Sequence, residues 1–121
     1  MQLVLNNADQ PANNFTINLV RPMIKESVKL LRVILLNVEK LPKDPVFLYC
    51  SLCEPRMIGT TFSPLLDVFI LSSNQFDIPH PLEHPCVNES VSSISIQLLQ
   101  SNGSLLTLPD KCQIFIILEV E

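Results

Sequence analysis

The residues best equipped for chemistry are Cys50 and Cys53, spaced Cys-x2-Cys, followed by His80, His84 and Cys86. Cys-x2-Cys is the spacing of zinc knuckles and of redox dithiols, and His-x3-His is a further ligand spacing. A zinc knuckle needs its two cysteines on a tight turn. Here they lie in or beside the apolar run Val46 to Leu52, which reads as a strand, and side chains three apart on a strand point to opposite faces. The expectation is therefore that Cys50 and Cys53 are core cysteines, free cysteine being among the most buried residue types. A thioredoxin-like role would require a helix N-terminus to lower the thiol pKa, and no helix starts there. His80 and His84, beside Glu83 in a proline-rich stretch, read as exposed loop residues.

Other chemistries find less. Neither histidine sits in a nucleophile motif. Gly59 and Gly103 are the only glycines, which excludes a glycine-rich phosphate loop. Asp44, Asp67 and Asp77 lack calcium-loop spacing. With no catalytic, cofactor-binding or metal residues assigned, the chain reads as a non-enzyme without cofactor.

The net charge is −4. Arg21, Lys25, Lys29 and Arg32, the nearest approach to a basic patch, are interrupted by Glu26 and apolar residues and read as a solvated strand face. That argues against nucleic acid, which needs concentrated positive charge. Met1 to Asn14 has no basic segment followed by an apolar one, so a secretory signal is not expected, and no apolar run is long enough for a bilayer. In a reducing compartment Cys50, Cys53, Cys86 and Cys112 are expected as thiols. The sequons at Asn14, Asn88 and Asn102 then read as turn or strand-edge residues.

The elements that must position these residues are strands. Of 121 residues 47% are hydrophobic and only 17% charged, which argues for a packed domain over disorder. One domain over 1–121 is expected. Ile94, Ile96 and Leu98 alternate with Ser93, Ser95 and Gln97, and Cys112, Ile114, Ile116, Leu118 and Val120 share a second face. Asn102-Gly103 between these runs predicts a type I′ turn, making Ser92 to Glu121 a hairpin. Phe15, Ile17 and Leu19 mark a strand ending before Pro22. Val28 to Val38 fits both a helical face (Val28, Leu31, Leu35, Val38) and a strand. Its β-branched Val28, Val33, Ile34 and Val38 favour the strand. Ser72 to Pro85, with three prolines, reads as a loop or as an edge that other strands cannot invade. The sum is about eight strands separated by turn signals, an all-β antiparallel sandwich of jelly-roll type.

Two resemblances extend this reading. Leu31-Arg32-Val33-Ile34-Leu35-Leu36-Asn37-Val38-Glu39-Lys40-Leu41-Pro42-Lys43-Asp44-Pro45-Val46 resembles the opening of a C2 domain, which would imply a monomeric β-sandwich module binding a protein or a membrane. A second covers most of the chain. Asn14-Phe15-Thr16-Ile17-Asn18-Leu19 with Arg21-Pro22-Met23, then Leu48-Tyr49-Cys50-Ser51-Leu52, Ile58-Gly59-Thr60 and Pro64-Leu65-Leu66, then Ile94-Ser95-Ile96-Gln97-Leu98-Leu99, Asn102-Gly103 and Ile114-Phe115-Ile116-Ile117-Leu118 resemble jelly-roll capsid proteins. These are the capsid proteins of icosahedral DNA viruses and mobile elements of the Polinton and virophage type. Major capsid proteins of that kind carry two jelly rolls, whereas 121 residues hold one. The resemblance thus implies a single jelly-roll penton or minor capsid protein of the virion, made in the host cytoplasm or nucleus, with identical subunits and other capsid proteins as partners. Ala8 to Asn14 and Ser72 to Pro85 are the loops expected at contacts.

Overall fold

The computed structural model describes residues 1–121. The chain is all-β, with no helix, and its antiparallel sheets pack against each other as a β-sandwich. Strands in chain order are β1 (Gln2–Asn6), β2 (Asn14–Met23), β3 (Ser27–Leu36), β4 (Val46–Cys50), β5 (Arg56–Ile58), β6 (Thr61–Ser63), β7 (Leu65–Phe69), β8 (Gln75–Asp77), β9 (His84–Pro85), β10 (Val91–Leu99) and β11 (Gln113–Val120). Sheet I has the order β1-β11-β3-β8, with β9 also on β3. Sheet II has the order β2-β10-β4-β7. A separate β5–β6 hairpin lies between β4 and β7 in sequence.

The pairing is nested. β1 pairs with β11, β2 with β10, β3 with β8 and β9, and β4 with β7. The count exceeds the expected eight because the β5–β6 hairpin is an insertion and the sheet I edge opposite β3 is broken into β8 and β9. That edge is the Ser72 to Pro85 stretch. Pro79 and Pro81 lie between its two short strands and supply no N–H, so the edge stays interrupted and closed to further pairing.

Val28 to Leu36 of the ambiguous segment is strand, and Asn37, at φ 63°, ends it before Val38; the ambiguity has a structural cause. The register of β3 on β11 runs from Ile117↔Arg32 to Leu118↔Leu30, skipping Leu31. This bulge reverses the facing of everything beyond it. Val28 and Leu30 are buried on one side of the bulge and Val33 and Leu35 on the other, on one inner face. β11 has no such break at its inward residues, and Ile114, Ile116, Leu118 and Val120 are all fully buried. Buried side chains of both sheets form one cluster of 26 residues.

One expectation about a strand end is corrected. β2 continues through Pro22 to Met23, with an irregularity between the pairs Ser93↔Asn18 and Val91↔Met23. Because Pro22 cannot donate to the ladder, the chain swells out there and Val20 is 99% exposed.

The Ser92 to Glu121 hairpin is not formed: β10 lies in sheet II and β11 in sheet I. A strand has two edges, and those of β10 are taken by β2 and β4 over most of its length. The returning chain keeps one bridge, Leu99↔Leu105, and the Leu106 N–H to Leu98 C=O bond at 2.9 Å. It then crosses to sheet I through Pro109. The turn is also not type I′. Gly103 N–H donates to Gln100 C=O at 2.9 Å, Gln100 N–H donates to Ser104 C=O at 2.8 Å, and only Gly103, at φ 88°, has positive φ. That is a three-residue loop with a glycine bulge.

Candidate functional site

Cys50 is the last residue of β4. Ser51 takes the next two ladder positions on β10 by itself: its N–H donates to Ser95 C=O at 2.9 Å, and its Oγ accepts Ser95 N–H at 2.8 Å. With a side chain replacing a backbone acceptor, the chain is free to turn. Cys53 N–H closes the turn on Cys50 C=O at 3.0 Å. The two cysteines are thus on a tight turn and do not share a strand, contrary to the sequence expectation. The hydrophobic run hid this because Leu52, at the turn, is itself fully buried in the end of the core. Cys50 and Cys53 are core residues, 0% and 1% exposed.

Cys86 joins them from the other sheet. It follows β9 and forms an isolated antiparallel bridge with Cys53. All four cysteines, Cys112 included, are free thiols. Within the trio the proximity of Cys53 S–H favours the Cys50 thiolate and holds its pKa down, while Cys53 is pushed well up by Cys50 and by burial. Burial, and then the charge of Cys50, push Cys86 up to about 11. Cys112 stands apart at the start of β11, its pKa raised by burial alone.

His84 is not the exposed loop residue its sequence context implies. As part of β9 it pairs with Val28, whose side chain is in the core, and it is 6% exposed. His84 Nδ1 lies 2.7 Å from Arg56 Nη1, and Arg56 Nη2 donates to Leu65 C=O at 3.0 Å. A guanidinium only donates, so Nδ1 accepts and the ring proton sits on Nε2. Burial, and secondly the Arg56 charge, lower the His84 pKa and keep the ring neutral. Nε2 is buried without a hydrogen-bond partner. Asp67, on β7 and near both His84 and Arg56, has its pKa raised chiefly by burial, against the Val68 N–H that it accepts at 2.8 Å. A cavity of about 200 Å³, lined by Glu54, Pro55, Arg56, Leu65, His84 and Pro85, opens beside this cluster.

No three His, Cys, Asp or Glu side chains are arranged to hold a metal ion. His80 is exposed and separate. Asp44 lies in the β3–β4 loop, Asp67 on sheet II, and Asp77 on the edge of sheet I, ion-paired with Arg32. The basic residues likewise divide. Arg21 is on β2 of sheet II, Lys25 lies in the loop joining β2 to β3, and Lys29 and Arg32 are on β3 opposite Glu119 and Asp77. Of the sequons, Asn14 begins β2, Asn88 is in a bend and Asn102 in a turn, all exposed.

One polar residue had no sequence signal. Asn7 follows β1 and is 1% exposed. Its Nδ2 donates to Gln10 C=O at 2.7 Å and Cys112 C=O at 3.2 Å, and its Oδ1 accepts Ile114 N–H at 2.9 Å. Asn6 Nδ2 donates to Ile114 C=O at 2.9 Å. These amides stand in for the backbone partner that β11 loses where β1 ends. Asn13 and Gln10 add bonds to Leu106 C=O and to Thr16, so the Ala8 to Asn14 loop is pinned at several points. In a stretch of repeated Asn, which one is buried is set by where β1 stops.

No helix in the structure is long and apolar enough to cross a membrane. No protein-family model matches the chain, and no curated protein matches it.

Proposed function

We propose that the chain is a structural virion protein: a single jelly-roll capsid subunit, of penton or minor-capsid type, that self-assembles through symmetric contacts. The observation that carries this reading is the nested pairing, first strand with last, second with β10, third with β8 and β9, fourth with β7, folded into two facing sheets. Such a rolled ribbon supports a jelly roll, an architecture used in capsids and also in lectins and cupins. The resemblance of the β2, β4 to β7, β10 and β11 sequences to capsid proteins favours the capsid among these.

The surface is consistent with neighbours. Val20, Phe62, Ile24, Val4 and Leu82 are all more than half exposed, on a chain with few charges. Met57 and Phe62 are directly opposite each other on the β5–β6 hairpin and are 56% and 70% exposed. Gly59, at φ 62°, turns that hairpin. An exposed cross-strand apolar pair on a separate hairpin offers an identical subunit a compact anchor, and rotational closure would turn one such contact into a ring. Partners are then identical subunits and other capsid proteins, and the location is the virion.

Light scattering after size exclusion, over a range of concentrations, tests the reading. Assembly beyond the monomer that is lost in Met57→Ser/Phe62→Ser, with unchanged thermal stability, is expected. A chain that stays monomeric at every concentration, alone and mixed with co-expressed capsid partners, would overturn it.

A further inference from the structure

Cys53 and Cys86 occupy a particular register. Their bridge is held by Glu54 N–H to Pro85 C=O at 2.9 Å and Val87 N–H to Leu52 C=O at 3.0 Å. Bonds that flank a pair and do not join its two residues define the non-hydrogen-bonded antiparallel position, where α-carbons lie about 4.5 Å apart and side chains approach most closely. That separation lies within the roughly 4.4–6.8 Å over which two cysteines are bridged without backbone movement. Cys50 adjoins the pair across its turn, whose end α-carbons are within about 7 Å.

We propose that Cys53 and Cys86 are a disulfide-forming site that staples the two sheets together, with Cys50 as the adjacent thiol that exchanges with it. The inference stands on this geometry and is independent of the capsid reading. The oxidant is a peroxide. One thiolate attacks hydrogen peroxide, the O–O bond breaks, and a sulfenic acid forms as hydroxide leaves and is protonated to water. The partner sulfur then displaces the sulfenic oxygen as a second water, forming the S–S bond. Two thiols have lost two protons and two electrons, and one peroxide has taken them up to become two waters. Exchange costs no further oxidant: the Cys50 thiolate attacks Cys53 sulfur, the Cys53–Cys86 bond breaks, and Cys86 leaves as thiolate.

Access is through Cys86, which is 6% exposed and follows Pro85, a wall of the cavity beside His84 and Arg56. Its thiolate is scarce at neutral pH because burial raises its pKa, so closure is slow. The site acts as a staple, not as a rapid sensor. Cys53 follows β4 of sheet II and Cys86 follows β9 of sheet I, so the bond ties the sheets at one end and closes the chain from 53 to 86. A loop of that length restricts the unfolded chain enough to raise Tm by on the order of 10 °C.

The test uses the full chain, treated with hydrogen peroxide at mildly alkaline pH, alkylated, digested without reduction and mapped by mass spectrometry. Expected are a peptide pair joined through Cys53 and Cys86, alkylated Cys112, and a rise in Tm, the bond and the rise both reversed by dithiothreitol. Cys86→Ala should abolish the bond and the rise, while Cys112→Ala should keep both. Four alkylatable thiols after treatment, oxidation only to sulfinic acids, only intermolecular bonds, or a Cys50–Cys53 bond in the wild type with no Cys53–Cys86 bond in Cys50→Ala, where exchange is blocked, would each overturn the proposal. The wild-type map decides by itself if Cys86→Ala does not fold.

Discussion

Replacing Asn7 by leucine, which has the same branched outline of four heavy atoms but is bulkier, removes all of its hydrogen bonds at once. The amide serves Ile114 N–H, Cys112 C=O and Gln10 C=O. Ile114 and Cys112 are buried, so their groups are left without water, whereas Gln10 is exposed and recovers a partner from solvent. Each buried polar group orphaned in this way costs about 1–3 kcal/mol, giving roughly 3–4 kcal/mol for the pair. That is a large part of a stability of about 5–15 kcal/mol. In urea, with a slope of about 1.5 kcal/mol per molar, the midpoint should fall by about 2 M without a change in slope. Asn7→Asp keeps the acceptor for Ile114 N–H but sets a carboxyl against two carbonyl oxygens, and should be no milder. Asn6→Ala, at a half-buried position, should lose only about 1 kcal/mol. A loss below about 1 kcal/mol in Asn7→Leu would refute the account, since it would mean that water replaces the amide or that β11 shifts to satisfy its own groups.

Gly103→Val should cost about 1–3 kcal/mol by denaturant titration. A Cβ at Gly103 meets nothing within 4 Å, so the whole penalty comes from its φ of 88°. Gly103→Asn should therefore recover most of it, and equal losses in the two variants would point to a steric cause instead. His84 should make the protein less stable as pH falls. Its folded pKa lies below the ordinary histidine value of 6.5; between the two values the unfolded chain binds the extra proton, so stability declines as pH drops below about 6.5. Asp67, with its pKa raised, has the opposite sign in a lower window, losing stability as pH rises from 3.8 through its folded value. Unfolding free energies of wild type and His84→Gln from pH 7.5 downwards should converge in slope above 6.5 and diverge below it. Parallel curves would show that His84 does not titrate with folding.

In the cysteine cluster the deciding contacts are non-local. Cys50, Cys53, His84 and Cys86 were visible as ligand-type residues, but their arrangement depended on a turn and a bridge. The turn arises because Ser51 Oγ replaces a backbone acceptor for Ser95 N–H, and residue 95 lies on a strand far away in sequence. The burial of His84 escapes its proline-rich sequence context for the same reason, since it follows from pairing with Val28 across the β3–β9 ladder.

Period-two alternation by itself determined that β10 and β11 are strands and which of their faces is inward, because side-chain facing is a property of the extended backbone. It determined equally that the chain is all-β, from β-branched runs and closely spaced turn signals. Only the tertiary structure decided which strand lies beside which. A strand offers two edges, and whether one is free depends on distant segments: β2 and β4 occupy β10, so Asn102-Gly103 turns the chain without making β10 and β11 a hairpin. The Leu31 bulge on β3 was decided there too, since it is defined by register against β11, and register is a relation between two strands that neither strand's own sequence contains.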